Sequence, residues 1–233
     1  MIPFSARLRA GPPLLALALL STAAPAVAAG DDPQLWTGAS ATVKLSDHWR
    51  FSQDVTARFS DHRSGLYEIE MNSLLGYKVS KTTTVWAGYT HDPQYAEGDF
   101  RVMEHRAREQ VTFDNIASLG RGRLSARIRT EQRWRDGVDG TGWRVRPYVK
   151  YTLPLKKGGK TVLVLSSEPF FNLNSTPFQR TTGFDRIRNL VALSTPLSSK
   201  ITAEVGYLNQ YTRVRNGPDT DDHVASVSLN IAL

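Results

Sequence analysis

Two stretches, Gly120-Arg121-Gly122-Arg123-Leu124-Ser125-Ala126-Arg127-Ile128-Arg129-Thr130-Glu131-Gln132-Arg133-Trp134-Arg135 and Trp143-Arg144-Val145-Arg146-Pro147-Tyr148-Val149-Lys150-Tyr151-Thr152-Leu153, decide the fold. In the first, Arg123, Ser125, Arg127, Arg129, Glu131, Arg133 and Arg135 occupy every second position. Leu124, Ala126, Ile128, Thr130, Gln132 and Trp134 fill the gaps. After a polar break at Asp136 to Gly142 the same alternation resumes. A period of two sends the cations to one face of a strand and the apolar groups to the other. Two adjacent strands thus share a densely basic face and an apolar one. A soluble barrel or sandwich would bury the apolar face. A membrane barrel would turn it to lipid and face the charges inward.

Working outward, further strand-like segments appear at Leu35 to Leu45, Trp49 to Phe59, Tyr67 to Val79, Thr83 to His91 and Val102 to Asp114. Beyond the basic pair come Thr161 to Phe171, Gly183 to Ser194, Ile201 to Thr212 and His223 to Leu233. No segment has a helical period. The count is 11, yet closed bacterial barrels normally have an even number of strands, so ten or twelve is expected. Short links near residues 46, 81, 157 and 197 alternate with longer ones near 62, 97, 139, 177 and 217, with an intermediate link at Asn115 to Arg121. Short periplasmic turns and longer external loops are an outer-membrane habit.

Three observations place lipid outside. The apolar faces are almost free of charge, with Glu109 the exception; that residue is expected near an interface or at a register slip. Aromatics bracket several faces: Tyr67 with Tyr77, Trp143 with Tyr151, Phe51 with Phe59. Strands of about eight to ten residues tilted by about 40° also match the height of an outer-membrane apolar band. Closure removes the exposed edges that so many strands would otherwise present. The expected fold is all-β, an antiparallel up-and-down transmembrane β-barrel of 10–12 strands.

The N-terminus carries Arg7 and Arg9, then the apolar run Leu14 to Leu20, then Pro25-Ala26-Val27-Ala28-Ala29. That is the pattern of a cleaved secretory signal over residues 1–29, leaving a barrel domain over 30–233. The run is shorter than the roughly 18–20 residues of a spanning helix. The chain has 0 cysteines, excluding disulfides and a lipoprotein anchor. Its formal charge of +7, two units of it from the signal arginines, falls short of a nucleic-acid binder's.

Assigned to the lumen, the polar positions collect Glu104, Arg106, Arg108, Gln110, Arg123, Arg127, Arg129, Glu131, Arg133, Arg144, Arg146, Lys150, Glu168, Arg186, Arg188 and Glu204, with Arg50, Arg58, Lys78, Asp54, Glu68 and Glu70. Two readings stay open. A surplus of arginine suits a narrow, porin-like channel favouring small anionic solutes such as sugar acids and phosphorylated compounds. Cross-strand pairing would instead make a non-conducting plug of ion pairs. The 5 histidines, His48, His62, His91, His105 and His223, show no metal spacing, and no nucleophile elbow or phosphate loop is present. The sequence therefore predicts no enzyme, no metal and no cofactor. A lipid-modifying acyl hydrolase is the minor alternative, since alternation sets His105 on the lipid face. An adhesive barrel acting through its loops is another.

Leu35-Trp36, Glu104-His105-Arg106 with Gln110, the run Arg127, Arg129, Glu131, Arg133, then Glu168-Pro169-Phe170, Phe184-Asp185 with Arg186 and Arg188, and Gly206-Tyr207 occur in that order. In this the chain resembles the uncharacterised outer-membrane barrels of Gram-negative bacteria grouped as a domain of unknown function. His105 departs from the Asn expected after the Glu, and the terminal Leu233 from the aromatic usual in assembly signals. The resemblance implies a fold and an outer-membrane location, with lipids and the barrel assembly machinery as partners. It implies no activity.

Overall fold

The computed structural model describes residues 32–233; the signal-sequence reading of residues 1–29 lies outside the described residues. Eleven strands form one closed barrel. They are β1 (Asp32–Lys44), β2 (Trp49–Ser60), β3 (Gly65–Lys78), β4 (Thr83–Ala96), β5 (Asp99–Leu119), β6 (Gly122–Arg135), β7 (Val138–Pro154), β8 (Val162–Asn172), β9 (Gly183–Pro196), β10 (Ile201–Thr212) and β11 (Thr220–Ala232). Each pairs antiparallel with its chain neighbours, as short hairpin links require.

The expected even number of strands is not met, for the 11 segments read from the sequence are the 11 strands. With an odd number, up-and-down order leaves the first and last strands pointing the same way. Closure is then made by a parallel pair, with Asp32 opposite Asp222 through to Thr42 opposite Ala232. β1 therefore starts at the end carrying the links 61–64, 97–98, 136–137, 173–182 and 213–219, here the loop end. β11 finishes at the other, the turn end.

The longer links near 97 and 139 are also corrected. Strands continue through both, and each hairpin closes on two residues, Glu97-Gly98 and Asp136-Gly137. Gly98 and Gly137 sit at φ 84 and 71, a left-handed conformation that tight hairpin turns demand. The link expected at Asn115 to Arg121 shrinks likewise. β5 runs to Leu119 past a bulge between Phe113 and Ala117, with Asn115 at φ 51.

Burial is inverted relative to a soluble protein. Leu35, Val55, Leu75, Val85, Ile128, Val149, Val191, Leu193, Val205 and Leu229 are exposed, while Glu104, Glu131 and Asp92 are at 0% exposure. An apolar belt of this extent is far beyond what a water-soluble monomer tolerates, and it is the outer face of an outer-membrane-type barrel. Among the described residues no helix is long and apolar enough to cross a membrane.

One local expectation fails for an identifiable reason, and one of the two alternatives for Glu109 is removed. Tyr67 was expected on the outer face, but a bulge between Arg58 and Phe59 inserts it as an extra residue. It turns inward to 5% exposure, and its hydroxyl donates to Gln34 Oε1 at 2.7 Å. No register slip occurs at Glu109, which pairs with Thr130 and stays outside. Its carboxylate instead accepts from Thr130 Oγ1 at 2.7 Å and Gln132 Nε2 at 3.1 Å. Those bonds blunt the cost of an acid on the apolar face.

Candidate functional site

The lumen's charges come together in the loop-end half. There, strand alternation aims Glu68 and Glu70 of β3, Asp92 of β4, Glu104 of β5, Glu131 of β6 and Glu168 of β8 at arginines of β2, β5, β6 and β7. Glu104 accepts from Arg106 Nε at 2.6 Å, Arg133 Nε at 2.9 Å and Arg135 Nε at 2.7 Å. Glu131 accepts from Arg144 Nε and Arg146 Nη1, both at 2.8 Å, with Arg108 Nε 3.4 Å away. Arg146 continues to Glu168 Oε2 at 2.9 Å, and Arg127 meets the other oxygen of that carboxylate. On the other side, Glu70 accepts from Arg58 Nη2 and Arg106 Nη1 at 3.0 Å each, and Arg58 pairs also with Glu68. Arg106 Nη2 reaches Asp92 Oδ2. The pairs thus form an almost continuous network from β2 to β8.

Such charges tolerate burial only because the carboxylates are met by guanidinium donors, several of them in the case of Glu104, Glu131 and Glu70. Some atoms stay unmatched: Arg58 Nε, Arg127 Nε and Asp92 Oδ1 are buried without a protein hydrogen-bond partner. Arg108 and Arg129 complete the centre, Arg108 donating to Thr90 Oγ1 at 3.1 Å and Arg129 to Gln110 Oε1 at 2.9 Å. Glu68, Glu70 and Asp92 bring one oxygen each within 4.8 Å of one another, close enough to suggest a cation site. Arg58 and Arg106 already occupy that space as counter-cations, so the trio reads as one half of the ion-pair network.

Above the network the link 173–182 folds inward. Gln179, 3% exposed, accepts from Arg133 Nη1 at 3.1 Å and donates to the carbonyl of Trp143 at 3.1 Å. Phe178 lies over Arg135 at 5.2 Å. Beside this cap the lumen opens as a cavity of about 150 Å³, lined by Arg63, Arg135, Arg186 and Arg188 with Phe170 and Gln210 among others.

The sequence-assigned lumen residues are not one cluster. Glu104, Arg106, Arg108, Gln110, Arg127, Arg129, Glu131, Arg133, Arg144, Arg146 and Glu168 are joined directly. Arg186 and Arg188 stand at the cavity, Arg186 Nε on Asp185 at 2.7 Å and Arg188 Nε on Gln210 Oε1 at 2.7 Å. Arg123, Lys150 and Glu204 lie toward the turn end and make no ion pair among the described residues. Sequence reasoning missed Asp92 and Gln179, both placed in loops, and the ring partners Trp36 and Phe170. Continuing the alternation past His91 would have found Asp92 and Gln94. Nothing in the sequence marks Gln179.

Outside, near the loop end, His105 sits in a polar-aromatic cluster. Its Nδ1 meets the Tyr89 hydroxyl, its Nε2 lies 3.1 Å from Asp136 Oδ1, and its ring stacks on Trp134 at 5.9 Å. Tyr207 and His223 repeat the pair on β10 and β11.

The family described as protein of unknown function DUF2490 matches residues 33–221. An uncharacterized protein of Methylorubrum extorquens is 31% identical over 218 residues, covering 93% of this chain and 95% of that one. LpxR from Salmonella typhimurium superposes with a TM-score of 0.48 at 7% identity, over 78% of this chain and 83% of the other. The siderophore receptor PirA from Pseudomonas aeruginosa gives a TM-score of 0.28 at 17% identity, over 71% and 31%. The expectation that the chain is not an enzyme is withdrawn in view of the likeness to LpxR.

Proposed function

The chain belongs to the DUF2490 family of proteins of unknown function, and from that premise we propose an outer-membrane barrel of a Gram-negative bacterium whose lumen is held shut by ion pairs. One observation carries the reading: Glu104, Glu131, Asp92 and Thr90 are at 0% exposure inside the barrel. An anion-favouring channel needs a continuous water path, and these groups are fully covered by neighbouring side chains. The loop end faces outward and the turn end faces the periplasm, as the outer-membrane habit has it. A cleaved signal delivers the chain, the barrel assembly machinery inserts it, and lipids cover the apolar belt. The refolded, signal-free protein in a planar bilayer under a salt gradient is expected to stay silent. Discrete steps with an anion-favouring reversal potential would replace this reading with the channel.

A second reading rests on the outward chain Tyr89–His105–Asp136. A hydroxyl, a base and a group orienting the base are the parts of an activated nucleophile, and here they sit where lipid esters reach. Incubation with outer-membrane lipids tests it. Released fatty acid that His105→Ala abolishes and Tyr207→Phe leaves intact would establish a surface acyl hydrolase; unchanged lipids would dismiss it.

A further inference from the structure

The cavity at the loop end differs from the network beside it in one respect: several of the guanidinium N–H groups that face it are taken up by no carboxylate, although most of its arginines are ion-paired through their other nitrogens. Nine arginines line it against Glu68, Glu70 and Asp222. The key group is Arg188. Its guanidinium lies over the Trp36 ring at 4.6 Å and the Phe170 ring at 4.8 Å. Its Nε donates to Gln210 Oε1 at 2.7 Å, and Gln210 Nε2 donates in turn to Asp222 Oδ2 at 2.6 Å. Among the described residues neither Nη atom of Arg188 has a hydrogen-bond partner. Arg186 is held through its Nε by Asp185, and among the described residues its Nη atoms likewise have no hydrogen-bond partner. Arg144, 4% exposed, gives Nε and Nη2 to Glu131, and its Nη1 has no hydrogen-bond partner among the described residues. Phe170, 1% exposed, lies beneath all three guanidiniums.

Cations gathered in a narrow, largely enclosed space repel one another and lack solvation, so an anion entering there relieves both costs. The rings and the Gln210–Asp222 relay fix the Arg188 fork in advance, so little side-chain freedom is lost on binding. Planar forks with paired N–H donors match the oxygen spacing of phosphate and carboxylate. We propose that Arg144, Arg186 and Arg188 form a binding site for a small phosphorylated solute, a sugar phosphate in class, entering from the loop end. Phe170 is covered by the guanidiniums, so the cavity wall is polar; Gln34, Tyr67 and Gln94 beside the arginines suit the hydroxyls of a sugar, and a volume of about 150 Å³ suits a small solute rather than a polymer.

This rests on the shut-lumen reading only in that the site is blind. The experiment is calorimetric titration of the refolded barrel in detergent with glucose 6-phosphate, inorganic phosphate, glucuronate and glucose, with tryptophan fluorescence followed in parallel. Glucose 6-phosphate is expected to bind most tightly, phosphate and glucuronate more weakly, and glucose not at all. Raising salt should weaken binding, and Arg188→Gln should weaken it about tenfold or more, as loss of a charge-assisted bond does. Heat-modifiable migration checks folding. Should Arg188→Gln fail to fold, Arg186→Gln replaces it with the same expectation. No binding of any anion by the folded wild type would overturn the site, as would binding that neither substitution changes. Equal affinity for phosphate and sugar phosphate would overturn the sugar assignment. Conductance in the bilayer would sink the shut lumen alone; a silent barrel that ignores every anion would sink the site alone.

Discussion

The two halves of the lumen are built from the same alternating pattern and filled in different ways. Toward the loop end the space is taken by guanidinium and carboxylate groups, with Glu131 and Glu104 at 0% exposure. Toward the turn end it is taken by steric fit between small and bulky residues. The Trp86 ring lies against Gly76, where an added Cβ would stand 2.4 Å from it, and Gly206 faces Ala192 so closely that a Cβ would meet the Ala192 Cβ at 2.4 Å. Arg50, Lys78, Arg123, Lys150, Asp54 and Glu204 are in that half or at its border and make no ion pair among the described residues. A polar residue facing inward is therefore not by itself a member of the network. Membership requires a partner at the same height on another strand.

The comparison breaks most readily at Glu131. Replacing it with Ala strands Arg144, Arg146 and Arg108 around an empty position, and removing one member of a buried ion network costs about 3–5 kcal/mol. Urea unfolding of the refolded barrel should show a loss of that order for Glu131→Ala and a change within about 1 kcal/mol for Glu204→Gln, which makes no ion pair among the described residues. Equal losses would mean the two halves do not differ. Next in size, Gly206→Ala forces backbone apart, because Val191 O would lie 2.6 Å from the new Cβ. A destabilisation of about 1–3 kcal/mol is expected from such overpacking. Gly38→Ala, whose nearest atom would be Val55 O at 3.2 Å, should cost less, and the reverse order would refute steric filling of the turn end.

Salt sharpens the same contrast. Buried pairs are screened far less than exposed ones. Raising ionic strength should leave the unfolding midpoint of the wild type nearly unchanged while weakening the exposed Lys44–Asp47 pair at the turn end. A steep fall of the midpoint with salt would show that solvent reaches the network. The smallest effect is expected in the link 213–219. Asp219 accepts from the Tyr211 hydroxyl and from Val214 N–H at 2.9 Å, and these bonds hold its carboxyl below the ordinary aspartate range. A depressed carboxylate contributes order above its unfolded pKa and loses it as pH falls through the folded one. Amide exchange of Val214 should accordingly quicken only below the ordinary aspartate range, and Asp219→Asn should quicken it at neutral pH without moving the unfolding midpoint.

Much of this was legible in the sequence, and for a simple reason. Alternation is a local property: whether Arg127, Arg129, Glu131 and Arg133 share a face depends only on each being two residues from the next. The 11 strands, their inward charges and the apolar exterior followed from that rule. What failed were places where one residue shifts the count. A bulge opposite Arg58 and Phe59 turned Tyr67 inward, and two-residue turns at Glu97-Gly98 and Asp136-Gly137 converted apparent loops into strand. The pattern of side chains looks the same whether a polar stretch is loop or strand beyond the apolar belt, so Asp92 was lost with its loop.

By itself, then, the sequence determined the strand class, which face of each strand is charged and the placement of lysine-, arginine- and glutamate-bearing positions toward one interior. Only the tertiary structure decided the parallel closure of β1 on β11, the height at which each charge meets its partners and the division of the lumen into an ionic half and a steric half. It also decided the approach of Trp36 and Phe170 to Arg188 from strands far apart in the chain. The physical reason is that facing is fixed by a residue's neighbours in sequence. Meeting is fixed by the stagger between strands, which no single segment encodes.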